Sequence, residues 1–263
     1  MAEIRLHGKV IISAEIVALT GIRVGGSQTG LKIGGPDSPV ISDAYGVPYI
    51  PGSALRGKML TLTERKLAKP PSQHGGRHMC SSGSLCEVCK IWGVLGVSGS
   101  ANGETVTLGR LLVRDVPLDQ STITPEMQKN MDLKYTEVKF ETAIDRRTGT
   151  ALHGSLRQIE RVPAGAIFRP AEFIFNIYED GDKDLLKHLF EAMALLEDDY
   201  LGGMGSRGYG KVKFENIRVW WNKKEDYEKG NLGLTAERAV NKTWTTPREL
   251  INNFAELKKG LTG

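Results

Sequence analysis

The 263-residue chain has no apolar run long enough to cross a bilayer, and its opening Met-Ala-Glu-Ile-Arg-Leu-His-Gly lacks the apolar stretch of a signal peptide. Both absences predict a soluble, cytoplasmic protein with no membrane partner. Cysteine is scarce. The three cysteines all lie between Cys80 and Cys89, an odd number packed too closely for a disulfide framework, and in a reducing compartment they point to metal. Charge of one sign is not in large excess either: 35 Lys and Arg face 31 Asp and Glu, for a net +4. Such a balance permits nucleic-acid binding without demanding it, so the placement of the cations must decide. No internal repeat and no linker marks a second domain, and the length suffices for one large core with insertions.

What is present reads as alternating strands and helices. Ile4, Leu6, Val10, Ile12, Ala14 and Ile16 alternate with polar residues, the period of a strand with one buried face. A second strand is expected around Val106 to Val113, slipping at a bulge near Gly109, a third from Ile167 to Tyr178 and a last from Tyr209 to Trp221. Ser53 reads as the N-cap of a helix from Ala54 to about Leu67, with Leu55, Met59 and Leu62 on one face. Asp182 to Asp199 carries a second apolar stripe in Leu185, Leu189, Met193 and Leu196. The resulting order, strand, helix, strand, strand, helix, strand, is that of the ferredoxin-like α+β fold, which RNA-recognition domains also use. We therefore expect a palm over 1–221, interrupted by insertions at 70–100 and 120–165. A C-terminal helical extension over 222–263 follows, with one helix capped by Thr246-Pro247-Arg248-Glu249.

The residues with chemistry fall in the connections. Arg23 to Lys58 joins glycine pairs, an acidic turn containing Asp37 and a helix start carrying Ser53, Arg56 and Lys58. A helix N-terminus offers amides and the positive end of the dipole, so the coinciding cations point to phosphate. Unless a ligand orders it, the loop between the glycine pairs is expected to be mobile. HGGRHMCSSGSLCEVC, residues 74–89, supplies thiols and imidazoles: Cys86 and Cys89 have chelate spacing, while Cys80 and either His78 or His74 can complete Cys₃His. Four protein ligands leave no open position, so the ion, Zn²⁺, would be structural and could supply roughly 10 kcal/mol of folding free energy. Tyr135 to Arg161 is charged, turns at Asp145-Arg146-Arg147-Thr148-Gly149 and reads as a projecting hairpin whose Lys139, Arg157 and Arg161 could follow a phosphate backbone. Leu201 to Gly210 packs five glycines around Ser206 and Arg207 and reads as an anion nest. It leads from a helix into a strand, the wrong context for a dinucleotide fingerprint or P-loop. His7, His153 and His188 are scattered and have surface or structural roles.

IGGPDSPV, YIPGSALRGKM, the cysteines running into CKIWG, YTEVKFETAIDRRTGTALHGSLRQIERV and DDYLGGMGSRGYGKV, taken together and in this order, resemble the RAMP-superfamily backbone subunits of type III-A CRISPR effectors, the Csm complex. The resemblance covers about Ile4 to Val219 and implies an RRM-like palm with a protruding thumb. Copies of such a subunit would stack as a filament along the crRNA, beside the other effector subunits, and cut complementary target RNA at intervals. Ser53, Arg56, Lys58, Gly203, Gly205, Ser206 and Arg207 are carried over as guide contacts, and the 135–161 arm with Lys139, Arg157 and Arg161 as the thumb at the guide–target duplex. Asp37 matches the acidic residue required for cleavage, although Gly35-Pro36 stands where the family's IGAIDSP-like motif has alanine and isoleucine. The implied reaction is 2′-hydroxyl attack on the adjacent phosphate, assisted by a divalent metal (Mg²⁺ or Mn²⁺), leaving a 2′,3′-cyclic phosphate. Asp37 either holds the metal or accepts the hydroxyl proton; an ordinary Asp is a poor base at neutral pH, which favours the metal. The alternatives are a non-catalytic guide-binding scaffold, the type III-B counterpart, and a processing enzyme, which would want a histidine-centred site.

Overall fold

The computed structural model describes residues 5–25, 36–69, 71, 76–80, 85–93, 109–230, 233–240 and 243–261. In chain order the elements are β1 (Gly8–Ala18), β2 (Tyr49–Ile50), α1 (Gly52–Lys66), α2 (Glu87–Trp92), β3 (Leu111–Val113), β4 (Val116–Pro117), α3 (Pro125–Lys129), β5 (Glu137–Glu141) and β6 (Arg157–Arg161). They continue with β7 (Ile167–Ile177), α4 (Asp182–Glu197), β8 (Val212–Lys223), α5 (Lys224–Glu228), α6 (Pro247–Asn252) and α7 (Phe254–Gly260). The main sheet has the order β3-β7-β1-β8, and each of its pairs is antiparallel. With α1 between β1 and β3 and α4 between β7 and β8, this is the strand and helix order read from the sequence.

Alternation along β1 is strict, buried and half-buried residues succeeding one another from Gly8 to Ala18. Register then stacks apolar rows across the sheet: Val10 lies between Phe175 and Trp221, and Ile12 between Phe173 and Val219. Leu55 and Met59 of α1 and Leu186, Leu189, Phe190, Met193 and Leu196 of α4 complete one core and are fully buried. Each such side chain contributes about 1.5–3 kcal/mol of transfer free energy. The buried Asp182 at the start of α4 accepts Arg110 Nε at 3.0 Å and the Tyr178 amide at 2.9 Å, so one carboxylate ties the approach to β3, the end of β7 and the helix together.

Several local expectations are corrected. Pro51, not Ser53, is the N-cap of α1, and Ser53 lies inside the helix. The first amide, Gly52 N, donates to Asp115 Oδ1 at 2.7 Å, a cap supplied from 63 residues away. The second strand is short, Leu111–Val113, and its expected start at 106–108 lies outside the described residues. EVCKIW, for which no helix is expected, forms α2, with Cys86 at its N-cap. The single helix expected after the Thr246 cap is instead two, α6 and α7, broken at Asn253. Thr246 caps the first as expected, accepting from Glu249 N at 3.3 Å, and Phe254 packs edge-on to Phe190 of α4.

Candidate RNA-binding and cleavage site

The chain leaving β1 runs between two connections distant in sequence. Ile22 exchanges backbone hydrogen bonds with Val162 just beyond β6, at 2.9 and 2.8 Å. On its other side Gly21 O accepts Gly210 N at 3.0 Å, and Arg23 O accepts Gly203 N at 2.9 Å. The glycine-rich loop therefore packs on the β1 exit. Gly202 has φ +85°, and a Cβ there would stand 2.2 Å from Arg23 O; Gly210, at φ +75°, would meet Leu201 O at 2.1 Å. These glycines are demanded by close backbone approach within the chain, and the Gly203 amide is committed to Arg23 rather than held open for an anion. Ser206 and Arg207 face solvent at the loop's outer turn.

β5 and β6 pair antiparallel from Glu137↔Arg161 to Glu141↔Arg157, forming the expected hairpin. At its root stands Tyr209, only 1% exposed. Lys139 Nζ lies 4.6 Å and the Arg161 guanidinium 5.1 Å from its ring, and its hydroxyl donates to Glu141 Oε1 at 2.8 Å. Burial and the Glu141 carboxylate push the Tyr209 hydroxyl up to about 12. Lys139 also pairs with Glu141 at 3.2 Å and Arg161 with Glu137 at 2.7 Å. Two of the cations read as RNA contacts thus hold the root of the hairpin, whereas Arg157 is exposed. Tyr209 and Glu141 escaped the sequence reading, and the only available signal was a lone aromatic beside the glycines.

Asp37 is brought to this hairpin. Its Oδ2 accepts the Gln158 amide at 2.8 Å, and Ser38 forms a parallel bridge to Ile159 of β6. Two residues on, Val40 N donates to Glu160 Oε2 at 2.8 Å. The side chain of Asp37 remains exposed, next along β6 from Arg157. The loop between the glycine pairs, expected to be mobile, falls on residues 26–35, outside the described residues.

The cations of α1 are already engaged. Lys58 pairs with Asp199 at 3.1 Å and lies 3.6 Å from the Tyr200 ring centroid. Arg56 donates to the carbonyl of Trp92 and lies 5.7 Å from that indole ring. Ser53 is exposed.

The metal-ligand prediction brings together one group: ligand atoms of His78, Cys80, Cys86 and Cys89 all lie within 4.8 Å of one another. Cys86 caps α2 and Cys89 sits in its first turns, so the CxxC spacing turns both sulfurs to one side. His78 Nε2 is 3.6 Å from Cys80 Sγ, a separation compatible with one tetrahedral ion at Zn–N and Zn–S lengths of about 2.0–2.3 Å. The Cys86 amide lowers the Cys80 thiol to about 7, while burial pushes Cys89 up to about 12. His74 lies outside the described residues. The remaining histidines do not form a catalytic cluster: His188 pairs with Glu191 at 3.0 Å, and His7 and His153 are exposed.

The RAMP superfamily model matches residues 15–213. The chain therefore belongs to the RAMP superfamily, and the relatives place it in a particular branch. It is 46% identical over 228 residues to the CRISPR system Cms endoribonuclease Csm3 of Methanocaldococcus jannaschii, covering 87% of each chain. A Streptococcus thermophilus protein of the same description is 38% identical over 80% of this chain and 89% of its own. The crystal structure of a Csm3–Csm4 subcomplex of a type III-A CRISPR–Cas interference complex aligns over 97% of both chains, with a TM-score of 0.58 and 33% identity. Methanopyrus kandleri Csm3, at 21% identity and a TM-score of 0.67, shares the fold over 98% of this chain and 99% of its own. The chain is thus a member of the Csm3 family of CRISPR endoribonucleases.

Proposed function

We propose that this chain is a backbone subunit of a type III-A effector, that its copies follow the crRNA as a filament, and that each cuts complementary target RNA. The carrying observation is Asp37, an exposed carboxylate tied through its own oxygen and the next residue to the strand that bears Arg157. This arrangement presents one anion beside a cationic hairpin, suiting a site where RNA supplies the phosphate and the attacking 2′-hydroxyl. Asp37 would fit a divalent metal, since Mg²⁺ commonly takes one or two carboxylates and completes its shell with water and substrate phosphate. When bound, that ion supplies charge neutralisation at the phosphate. The chain's own part is positioning: the exposed Arg157, one residue before the Asp37 anchor at Gln158, holds the RNA backbone against Asp37, which favours in-line approach of the hydroxyl.

Ser53, Arg56, Lys58 and the Gly203–Arg207 turn serve the guide. The Cys/His cluster holds a structural Zn²⁺ that fastens the insertion, and the hairpin is the thumb of an RRM-like palm.

The test is the assembled complex with target RNA, comparing wild type with Asp37→Ala. Target binding should stay at the wild-type level while the rate of cutting falls about 100-fold or more, the scale of losing a positioned acid–base or metal-holding group. Unchanged cutting would leave only the guide-binding scaffold.

A further inference from the structure

Two arginines meet at one backbone oxygen where the Cys/His insertion touches α1. Arg56 Nη2 and Arg77 Nη1 both donate to the carbonyl of Trp92, the latter at 3.4 Å. Among the described residues neither has a carboxylate partner, and Arg77 Nε is buried without any hydrogen-bond partner. Arg110, Arg161, Arg169 and Arg248 each pair with an acid, whereas Arg23 Nε is likewise buried without a partner; what sets Arg56 and Arg77 apart is that the two share one acceptor. Burial first, and then the neighbouring Arg77 charge, depress the Arg56 guanidinium, so the two cations sit together at an electrostatic cost. A single neutral carbonyl cannot satisfy two guanidiniums with five N–H donors each. An oxyanion with several acceptor oxygens can, and the planar fork matches phosphate geometry.

The segment holding Arg77 is short and fixed. His78, its neighbour, donates its amide to Glu64 Oε1 of α1 at 2.6 Å and contributes a ligand atom to the cluster with Cys80, Cys86 and Cys89. Trp92, the shared acceptor, ends the helix that Cys86 caps. The cluster's segment therefore places Arg77 and the shared acceptor, while α1 places Arg56.

We propose that Arg56 and Arg77 form a twin-guanidinium seat for one phosphate of the guide RNA, and that the Cys/His cluster serves RNA binding by fixing Arg77 there. The seat rests on the reading that this chain grips a guide. It adds Arg77 as a contact and gives the insertion a role beyond stability.

Assemblies purified with their guide from cells carrying wild-type, Arg77→Ala or Arg77→Lys chain can be challenged with rising NaCl. Guide retained per protein is measured beside metal content and unfolding temperature. The alanine variant should release its guide at lower salt, with a log–log slope shallower by about 0.7, one phosphate contact on a single strand. The lysine variant should fall between, because it keeps the charge and loses the fork. Metal content and unfolding temperature should stay at wild-type values. Equal retention by the alanine variant overturns the seat, and so does a loss of retention that is accompanied by loss of metal or a lower unfolding temperature. For an alanine variant that does not assemble, photocrosslinking of the wild-type assembly decides. Crosslinks from 4-thiouridine in the guide to the peptide bearing Arg77 support the seat; their absence, or crosslinks from labelled target only, overturn it. A wild-type assembly that holds no guide at any salt would instead sink the parent reading, and the seat with it.

Discussion

The Cys/His insertion and the β5–β6 hairpin are both inserted into the same four-stranded sheet, and they are held by opposite means. The insertion gathers four ligand atoms within 4.8 Å and turns Val88, Ile91 and Trp92 into the core. The hairpin buries Ile159 but leaves Phe140, Ile144, Leu152 and Leu156 exposed, and relies on a backbone ladder and the charged contacts around Tyr209. An insert that shares the core cannot be altered without the fold responding. One held by its own ladder can change its outward charges at little cost in stability.

The sharpest way to break this contrast is to open the cluster. Chelation, or Cys86→Ser with Cys89→Ser, should lower stability by on the order of 5 kcal/mol or more, read as a large drop in unfolding temperature. An unchanged transition would remove the insertion's structural role. Replacing Lys58 by Ala should do two things at once, because the ammonium pairs with Asp199 and is proposed above to contact the guide. The salt slope of RNA binding should flatten by about 0.7, with a stability loss within about 1 kcal/mol for a part-exposed pair. Arg157→Ala should flatten the slope similarly and leave the unfolding temperature alone, since that side chain is exposed. A falling transition temperature there would erase the distinction between the two inserts.

Smaller effects sharpen it from the hairpin's root. Tyr209→Phe removes a hydrogen bond to a carboxylate and should cost about 1.5 kcal/mol, measured by denaturant titration. The cost should depend on pH. The hydroxyl titrates at about 12 in the fold against about 10 unfolded, so the folded state favours the neutral phenol. Its contribution is whole below about pH 10 and is lost as pH rises toward 12. The stability gap between wild type and the phenylalanine variant should therefore narrow over that window, and a gap that stays constant would place the ionisation elsewhere.

Much of the palm was legible because its signals are local and repeated. The alternation of Val10, Ile12, Ala14 and Ile16 and the stripe of Leu189, Met193 and Leu196 needed no partner to be recognised. The Cys₃His set was legible for the same reason, its spacing being short. What failed depended on residues remote in sequence. Ser53 looked like a cap because Asp115 could not be seen approaching Gly52. The glycines of 201–210 looked like a nest because the groups they make room for, the Arg23 carbonyl at Gly202 and the Leu201 carbonyl at Gly210, could not be seen. Lys139 and Arg161 looked like free cations until Tyr209 was placed between them. Asp37 itself was found by resemblance, and its anchoring on Gln158 came only from the fold.

That anchoring makes the hairpin a ruler. Asp37 and Ser38 are registered to β6 by Gln158 and Ile159, so the carboxylate keeps a fixed phase against the strand. One residue inserted between Arg157 and Ile159 would shift that phase by one strand step, about 3.3 Å, while leaving the carboxylate chemically intact. On the cleavage role proposed for Asp37, cutting would then move along the target, or fall out of step with the nucleotide presented. Added length beyond Ile144 and Ala151, at the hairpin's tip, would lengthen the ruler without moving its zero.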